Sequence, residues 1–348
     1  MTISVNDRVL GCLLGGACGD ALGAPFEFTP LFEMRYDYGS KEGVREFWTD
    51  GGKLGAISDD TQLVAFTTSA LFASQQNGEL SEIEHLHLAY LAWHSAGHGA
   101  NPLIKRYPDF HAQLVDLTRR QGDRVPSVTT VESLMNARYL GSFAENTSMG
   151  SGAVTRVAPI GLLYLNDPEK AFDVAVACAK LTHGHEGGYL AAGAFAMLVA
   201  YAASGMHLPL SLRRVEAYVD HHKSRDLPWQ DLCRAPWPSN PAERRASWIG
   251  YGWSGPEAFA IAVNAVMTTN NVEDAIVVAC NHDGDSDTTA SMAGNLAGAI
   301  YGPALPDRWL AHVEMRGELT QLASQLCRII PWNSNVLSRN CDTHPAGN

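Results

Sequence analysis

An all-α fold, a single compact domain of orthogonally packed helices, is what the chain predicts, and three observations predict it. Apolar residues recur at helical spacing along most of the length, strand-like alternation is scarce, and Gly and Ala crowd the most apolar stretches. The 348 residues suffice for one large domain with a sizeable core. A composition of 46% hydrophobic and 18% charged residues is that of a globular chain rather than a disordered one. No repeat or linker divides it, so residues 1–334 read as one domain and residues 335–348 as a flexible polar tail.

The elements follow in order. Gly11, Gly15, Gly19 and Gly23 recur every four residues, which gives one side of the first helix a flat surface. Each costs roughly 1 kcal/mol of helix propensity against Ala, so close packing must offset it. A second helix starts at Asp60 and runs through Leu63, Phe66, Ala70 and Leu71 to a stop at Asn77-Gly78. Residues 81–94, 170–182, 187–203, 256–269, 273–280 and 288–301 carry the same periodicity. Region 98–147 is more polar and holds Pro102, Pro108 and Pro126, which predicts shorter helices and loops. Residues 225–250, with four prolines and three tryptophans, read as an ordered loop on the surface or over a site.

Composition excludes several functions. With 25 Lys+Arg against 37 Asp+Glu the formal charge is −12, and no basic run exists to hold a nucleic-acid backbone. From Gly187 to Leu212 no Asp, Glu, Lys or Arg appears, a length that could span a bilayer. No basic flank orients it, and its Gly/Ala content suits a buried helix, so no membrane partner is expected. Seven cysteines without a CxxC or a regular framework point to a reducing, cytoplasmic compartment. The N-terminus lacks a basic segment before its apolar stretch, so no signal peptide is predicted.

Two carboxylate clusters carry the chemistry. Ser58-Asp59-Asp60-Thr61-Gln62 precedes one apolar helix, and Asp283-Gly284-Asp285-Ser286-Asp287-Thr288-Thr289 precedes the Ala/Gly-rich one. Carboxylates flanked by hydroxyls at helix mouths are hard oxygen donors, suited to Mg²⁺, Mn²⁺ or Ca²⁺ rather than zinc. The competing reading is helix capping, with Asp59 and Gln62 as a capping box and Asp287 as a cap. Two such clusters in one chain favour metal. Asp283-x-Asp285-x-Asp287 mimics an EF-hand opening, but Thr288 stands where Gly is needed and Gly294 where Glu is needed. Thr182-His-Gly-His-Glu186 is not a zinc-protease motif, and His94 and His98 lack ligand partners nearby. A terpenoid synthase would need DDxxD, which this chain does not have. Gly150-Ser-Gly152 allows close backbone approach to a phosphate, without the spacing of a P-loop or a dinucleotide fingerprint.

At these residues the chain resembles the ADP-ribosylglycohydrolase family, enzymes related to dinitrogenase reductase-activating glycohydrolase. The resemblance spans most of the chain in order: GCLLGGACGDALGAPFEF (11–28), SDDTQL (58–63), SMGSGAVTRVAPIGL (148–162), THGHEGGYLAAGAFA (182–196) and DGDSDTTASMAGNLAGAIYG (283–302). It implies the family's multi-helix fold and hydrolysis of the bond between ADP-ribose and a modified side chain, most simply arginine. It further implies that Ser58, Asp59, Asp60, Asp285, Asp287 and Thr288 hold two Mg²⁺ or Mn²⁺ ions. Asp60 and Glu27 would be catalytic, with Asp60 as base and Glu27 on a loop closing over the site. Ser148, Met149, Gly150, Ser151 and Gly152 would meet the diphosphate and distal ribose, with Glu27 also touching substrate and His183 on the adenosine side. The implied partner is an ADP-ribosylated protein or ADP-ribosyl conjugate. A serine-linked or small-molecule conjugate, or an ADP-ribosylating toxin neutralised by an immunity protein, is the alternative. Two departures from the family pattern stand out. Ser151 replaces the usual Asn, and no acidic residue lies between Trp93 and Tyr107, where His98 or Asn101 is offered instead.

Overall fold

The computed structural model describes residues 3–38, 43–49, 52–76, 78–99, 101–107, 109–122, 124–224 and 249–331. Among these it is helical throughout, and the one pairing of extended backbone is an isolated antiparallel bridge between Gly150 and Ser254. The expected all-α class is what the chain adopts. The principal helices are α1 (Val5–Gly23), α2 (Asp59–Ser74), α3 (Glu82–Gly97), α4 (Ala112–Gln121), α5 (Val128–Met135), α6 (Ala158–Leu163) and α7 (Pro168–Lys180). They continue as α8 (Glu186–Ala203), α9 (Leu208–His222), α10 (Gly255–Thr268), α11 (Val272–Cys280), α12 (Ser286–Tyr301) and α13 (Arg316–Ile329). The proline- and tryptophan-rich loop falls mostly, at 225–248, outside the described residues, as does the predicted tail.

The glycine spacing in α1 finds its partner in α12. A Cβ at Gly15 would lie 2.3 Å from the Gly294 carbonyl oxygen, and one at Gly19 would lie 2.1 Å from that of Ala290. Gly11 likewise meets Gly298 and Gly302, and Gly23 meets the backbone of Asp287. The pairing is antiparallel, so the C-terminal end of α1 lies on the N-terminal end of α12. Backbones at this separation gain dense van der Waals contact, which compensates the helix-propensity cost of the glycines. At the opposite end Arg8 donates from Nη1 to the carbonyls of Ala202, Ala299 and Ile300, tying the last turns of α8 and α12 to α1.

The uncharged stretch from Gly187 resolves into α8, almost wholly buried among α6, α7, α9 and α10, and a break before Pro209. Both α8 and α1 are long and apolar enough to cross a membrane, yet both pack inside the protein. The short α6 and the longer α9 and α13 lack a matching expectation from sequence; of the three, the last two are the most polar. The polar faces of α9 and α13 are wide, and sparse anchors such as Val215, Val219, Leu319 and Leu326 hold them to the core.

Replacing Gly294 by Ala should force the α1–α12 pair apart and cost about 1–3 kcal/mol of stability. The exposed Gly317, with nothing within 4 Å of a built Cβ, supplies the control. In urea unfolding, Gly294→Ala should lower the midpoint clearly while Gly317→Ala leaves it near wild type. Equal midpoints for Gly294→Ala and wild type would contradict the tight pairing.

Candidate active site

The site grows from the ends of α1, α2 and α12. Ser58 is the N-cap of α2, its Oγ accepting the Asp60 N–H at 3.2 Å. The neighbouring free N–H groups go to Asp20, a fully buried residue near the end of α1. Asp20 Oδ1 accepts from Ser58 N at 2.8 Å, and Oδ2 accepts from Thr61 N at 3.1 Å and from Thr61 Oγ1 at 2.5 Å. Gln62 is engaged with Gln121 and Trp93, not with a capping box. Ser58 and Asp20 therefore do the capping work, and the Asp59 and Asp60 side chains are spared for another task.

Asp60 is held from two further elements. Thr155 Oγ1 donates to Oδ1 at 2.7 Å, and Thr288 Oγ1, in the first turn of α12, donates to Oδ2 at 2.9 Å. Asp285 occupies the N-cap position of α12 but caps nothing; its Oδ2 accepts from Ser151 Oγ at 2.6 Å. Asp287 Oδ1 is buried without a hydrogen-bond partner among the described residues. Oxygens of Glu27, Asp285 and Asp287 lie within 4.8 Å of one another. Asp283 turns elsewhere and accepts the Leu31 N–H at 2.8 Å, which anchors the segment following Glu27.

A strap at 251–255 joins these parts. Tyr251 O accepts from Asp285 N at 2.8 Å, Trp253 O from Ser151 N at 3.2 Å, and Met149 O from Gly255 N at 2.8 Å. Gly252 takes φ +79° against Thr289 and Asp285, where a side chain would be strained. Outside it, the Phe28 and Trp253 rings stack with centroids 5.5 Å apart, linking the Glu27 segment to the strap.

The electrostatics are those of crowded, buried carboxylates with no Lys or Arg paired to them among the described residues. Burial, then Asp287 and Asp20, pushes Glu27 up to about 8. Burial, then Asp60, pushes Asp285 up to about 7. Asp59 and Asp60 are raised well above the usual range by burial, reinforced for Asp59 by Asp60 and for both by Asp287. Asp287 is raised by burial and by Asp285. Positive helix ends and hydroxyl donors soften this repulsion without cancelling it. An all-oxygen donor set with an unpartnered buried carboxylate oxygen and no protein cation fits a hard divalent cation.

Of the residues anticipated from sequence, Ser58, Asp59, Asp60, Asp285, Asp287, Thr288, Glu27 and Ser151 converge here. Ser148, Met149 and Gly150 form the loop leading into Ser151, Gly152 follows in the turn Ser151–Ala153, and His183 Nε2 lies beside Gly150, 3.2 Å from where a Cβ would sit. His185 is the N-cap of α8, which accounts for that histidine of the Thr182–Glu186 motif. Asn101 spends its amide on the carbonyls of Leu134, Met135 and Ala137 and is not free to replace a missing acidic residue. Sequence reasoning passed over Asp20 and Thr155. A signal for the former existed, since Asp20 is the lone charged residue between Arg8 and Glu27 in a stretch otherwise apolar or glycine.

A helical protein with oxygen-rich carboxylates gathered at helix N-termini beside a glycine loop is the class that fold and site define. A family profile described as ADP-ribosylglycohydrolase matches residues 1–335, and the chain belongs to that family. It is 25% identical to the ADP-ribosyl-[dinitrogen reductase] glycohydrolase of Rhodospirillum rubrum, over 90% of this chain and 93% of that protein. Identity is 26% to the ADP-ribosylarginine hydrolase Tri1 of Pseudomonas putida, over 92% and 78% respectively. With the ADP-ribosylhydrolase ARH3 of Bos taurus it is 24%, over 92% and 93%. A solved structure titled ADP-ribosylglycohydrolase-related protein complex aligns with TM-score 0.66 at 27% identity, covering 94% of this chain and 99% of that one. The family and these relatives make the chain a glycohydrolase acting on ADP-ribosyl groups.

The raised carboxylates have a pH consequence. Glu27 and Asp285 hold protons in the folded state at pH values where the unfolded chain, with acids near 4.5 and 3.8, has released them. Between about pH 4 and pH 8 the native state therefore binds more protons, and stability falls as pH rises. In chelator, the Tm should drop across this range, and saturating Mg²⁺ should flatten the drop by stabilising most at high pH. Parallel Tm–pH curves with and without Mg²⁺ would contradict this origin of the shifts.

Proposed function

We propose that the protein removes ADP-ribose from arginine side chains of modified proteins, using two Mg²⁺ or Mn²⁺ ions held by Ser58, Asp59, Asp60, Asp285, Asp287 and Thr288. The observation that carries this reading is the convergence of Asp59, Asp60, Asp285 and Asp287 from two helix mouths, with Asp287 Oδ1 unpartnered. Arginine linkage is supported by the named activity of the Pseudomonas putida relative, and an ADP-ribosylated protein as partner by the Rhodospirillum rubrum relative. Buried free thiols at Cys12, Cys18, Cys178 and Cys280 fit the cytoplasmic setting.

Ions in such a site supply Lewis acidity and make a nearby water more acidic. The chain's own residues do the rest. Ser151 is fixed at both ends, its N–H on the Trp253 carbonyl and its Oγ on Asp285, so the glycine loop is registered to the carboxylates. Gly150 and Gly152 let a diphosphate approach the backbone. Thr155 and Thr288 orient Asp60 while leaving a lone pair on each oxygen, from which it accepts the proton of the attacking water. Water adds at C1 of the distal ribose as the C1–N bond breaks, through an oxocarbenium-like transition state. The guanidine nitrogen leaves with a proton. Glu27, half-buried at the edge of the cluster, positions the substrate or moves that proton.

With an ADP-ribosyl-arginine protein as substrate and Mg²⁺ present, wild type should release free ADP-ribose. Asp60→Asn and Asp287→Asn should each lose at least about a hundredfold in rate while remaining folded. A parallel assay on an ADP-ribosyl-serine peptide separates the linkages. Release from serine alone would replace the arginine assignment, and full activity in both variants would remove the metal-centred mechanism. A protein that binds an ADP-ribosylating toxin yet hydrolyses neither substrate would be an immunity protein acting by docking.

A further inference from the structure

Behind the glycine loop lies a polar chain that the carboxylate site does not use. Arg156 is fully buried, its guanidinium 4.4 Å from the centre of the Tyr90 ring, and no carboxylate pairs with it among the described residues. Its Nη2 donates to Thr182 Oγ1 at 2.6 Å, and Thr182 Oγ1 lies 2.8 Å from His183 Nδ1. Thr182 and His183 are also fully buried. At the other side of the ring His183 Nε2 has no hydrogen-bond partner among the described residues. That nitrogen faces Gly150, where a Cβ would sit 3.2 Å from it and 3.4 Å from Ser148 Oγ.

Two tautomers are conceivable, and the field of Arg156 distinguishes them. Thr182 Oγ1 already accepts from a cation, which makes its own O–H a stronger donor. That hydrogen has two destinations, the Ala179 carbonyl at 3.4 Å and His183 Nδ1 at 2.8 Å, and the shorter is the stronger bond. The bare nitrogen of a neutral imidazole also carries partial negative charge, so it favours the side facing the guanidinium. A bare Nδ1 leaves the hydrogen on Nε2.

We propose that Arg156 and Thr182 are positioning residues that fix His183 in the Nε2–H tautomer, aiming a preset donor past Gly150 at a diphosphate oxygen of the substrate. The inference rests on the proposed function only for the identity of that acceptor. Burial, then Arg156, pushes the His183 imidazole down to about 3, so the ring donates one hydrogen without carrying charge at neutral pH. Gly150 belongs to the arrangement because any side chain there would fill the space between Nε2 and the ligand. Nothing in the ring is asked to titrate during turnover.

The test combines nitrogen NMR of the histidine rings in the Mg²⁺-loaded full chain with titration of ADP-ribose. Free wild type should show His183 with a protonated Nε2 and a bare Nδ1, and ADP-ribose should shift the Nε2 signal. Thr182→Val, which keeps the shape and removes the hydroxyl, should weaken ADP-ribose binding about tenfold and perturb the tautomer. Thr182→Ser should restore both, which a purely structural role for the threonine methyl would not. A protonated Nδ1 in wild type overturns the assignment, as does unchanged affinity in Thr182→Val. Wild type with the Nε2–H tautomer but no affinity for ADP-ribose would overturn the acceptor together with the functional reading, while leaving the positioning by Arg156 and Thr182 established.

Discussion

Holding Asp59, Asp60, Asp285 and Asp287 together out of water is the constraint on which the rest of the structure depends. Each carboxylate loses hydration on burial, and their mutual repulsion adds to that cost. The protein offers three compensations. The mouths of α2 and α12 point partial positive charge at the cluster, Thr155, Thr288 and Ser151 donate hydroxyls to it, and Asp20 takes over the capping that would otherwise consume Asp59 or Asp60. None of these leaves the cluster neutral. What remains is a demand for positive charge from outside the chain.

Much of the fold serves to make that crowding rigid. The α1–α12 contact, close enough that any Cβ between Gly15 and Gly294 would clash, brings Asp20 at one end and Asp285 and Asp287 at the other to the same place. The strap at 251–255 then registers the glycine loop against Asp285 through main-chain bonds from both sides. Gly252 and Gly284 both take positive φ where the strap meets the Asp285 loop, and a Cβ at Gly284 would lie 2.1 Å from the Tyr251 carbonyl oxygen, so each position calls for glycine. Glu27 sits at the less buried edge, where the Phe28–Trp253 stack is the visible contact between its segment and the strap.

Legibility from sequence followed physical visibility. The clusters at 58–62 and 283–289 stood out because two runs of acids flanked by hydroxyl residues open two helices of one chain, and the glycine period of α1 announced a close partner without saying which. That partner, α12, carries Gly294 and Gly298 at the same spacing, but pairing two helices requires the fold. The capping alternative for Asp59 could not be dismissed from spacing alone; the deciding residue was Asp20, a long way off in the chain. Arg156 and Thr182 were hidden for a similar reason. A buried arginine in SGAVTRVAP reads as an ordinary surface charge until Tyr90 and Thr182 are seen around it. The helices α9 and α13 escaped because their wide polar faces dilute the periodic signal.

Direct observation of the cation is the most searching measurement. Crystals grown with Mn²⁺ should show anomalous scattering from two sites among the oxygens of Asp59, Asp60, Asp285 and Asp287. Anomalous maps with no peak among Asp59, Asp60, Asp285 and Asp287, at Mn²⁺ concentrations that support turnover, would contradict the account at its centre.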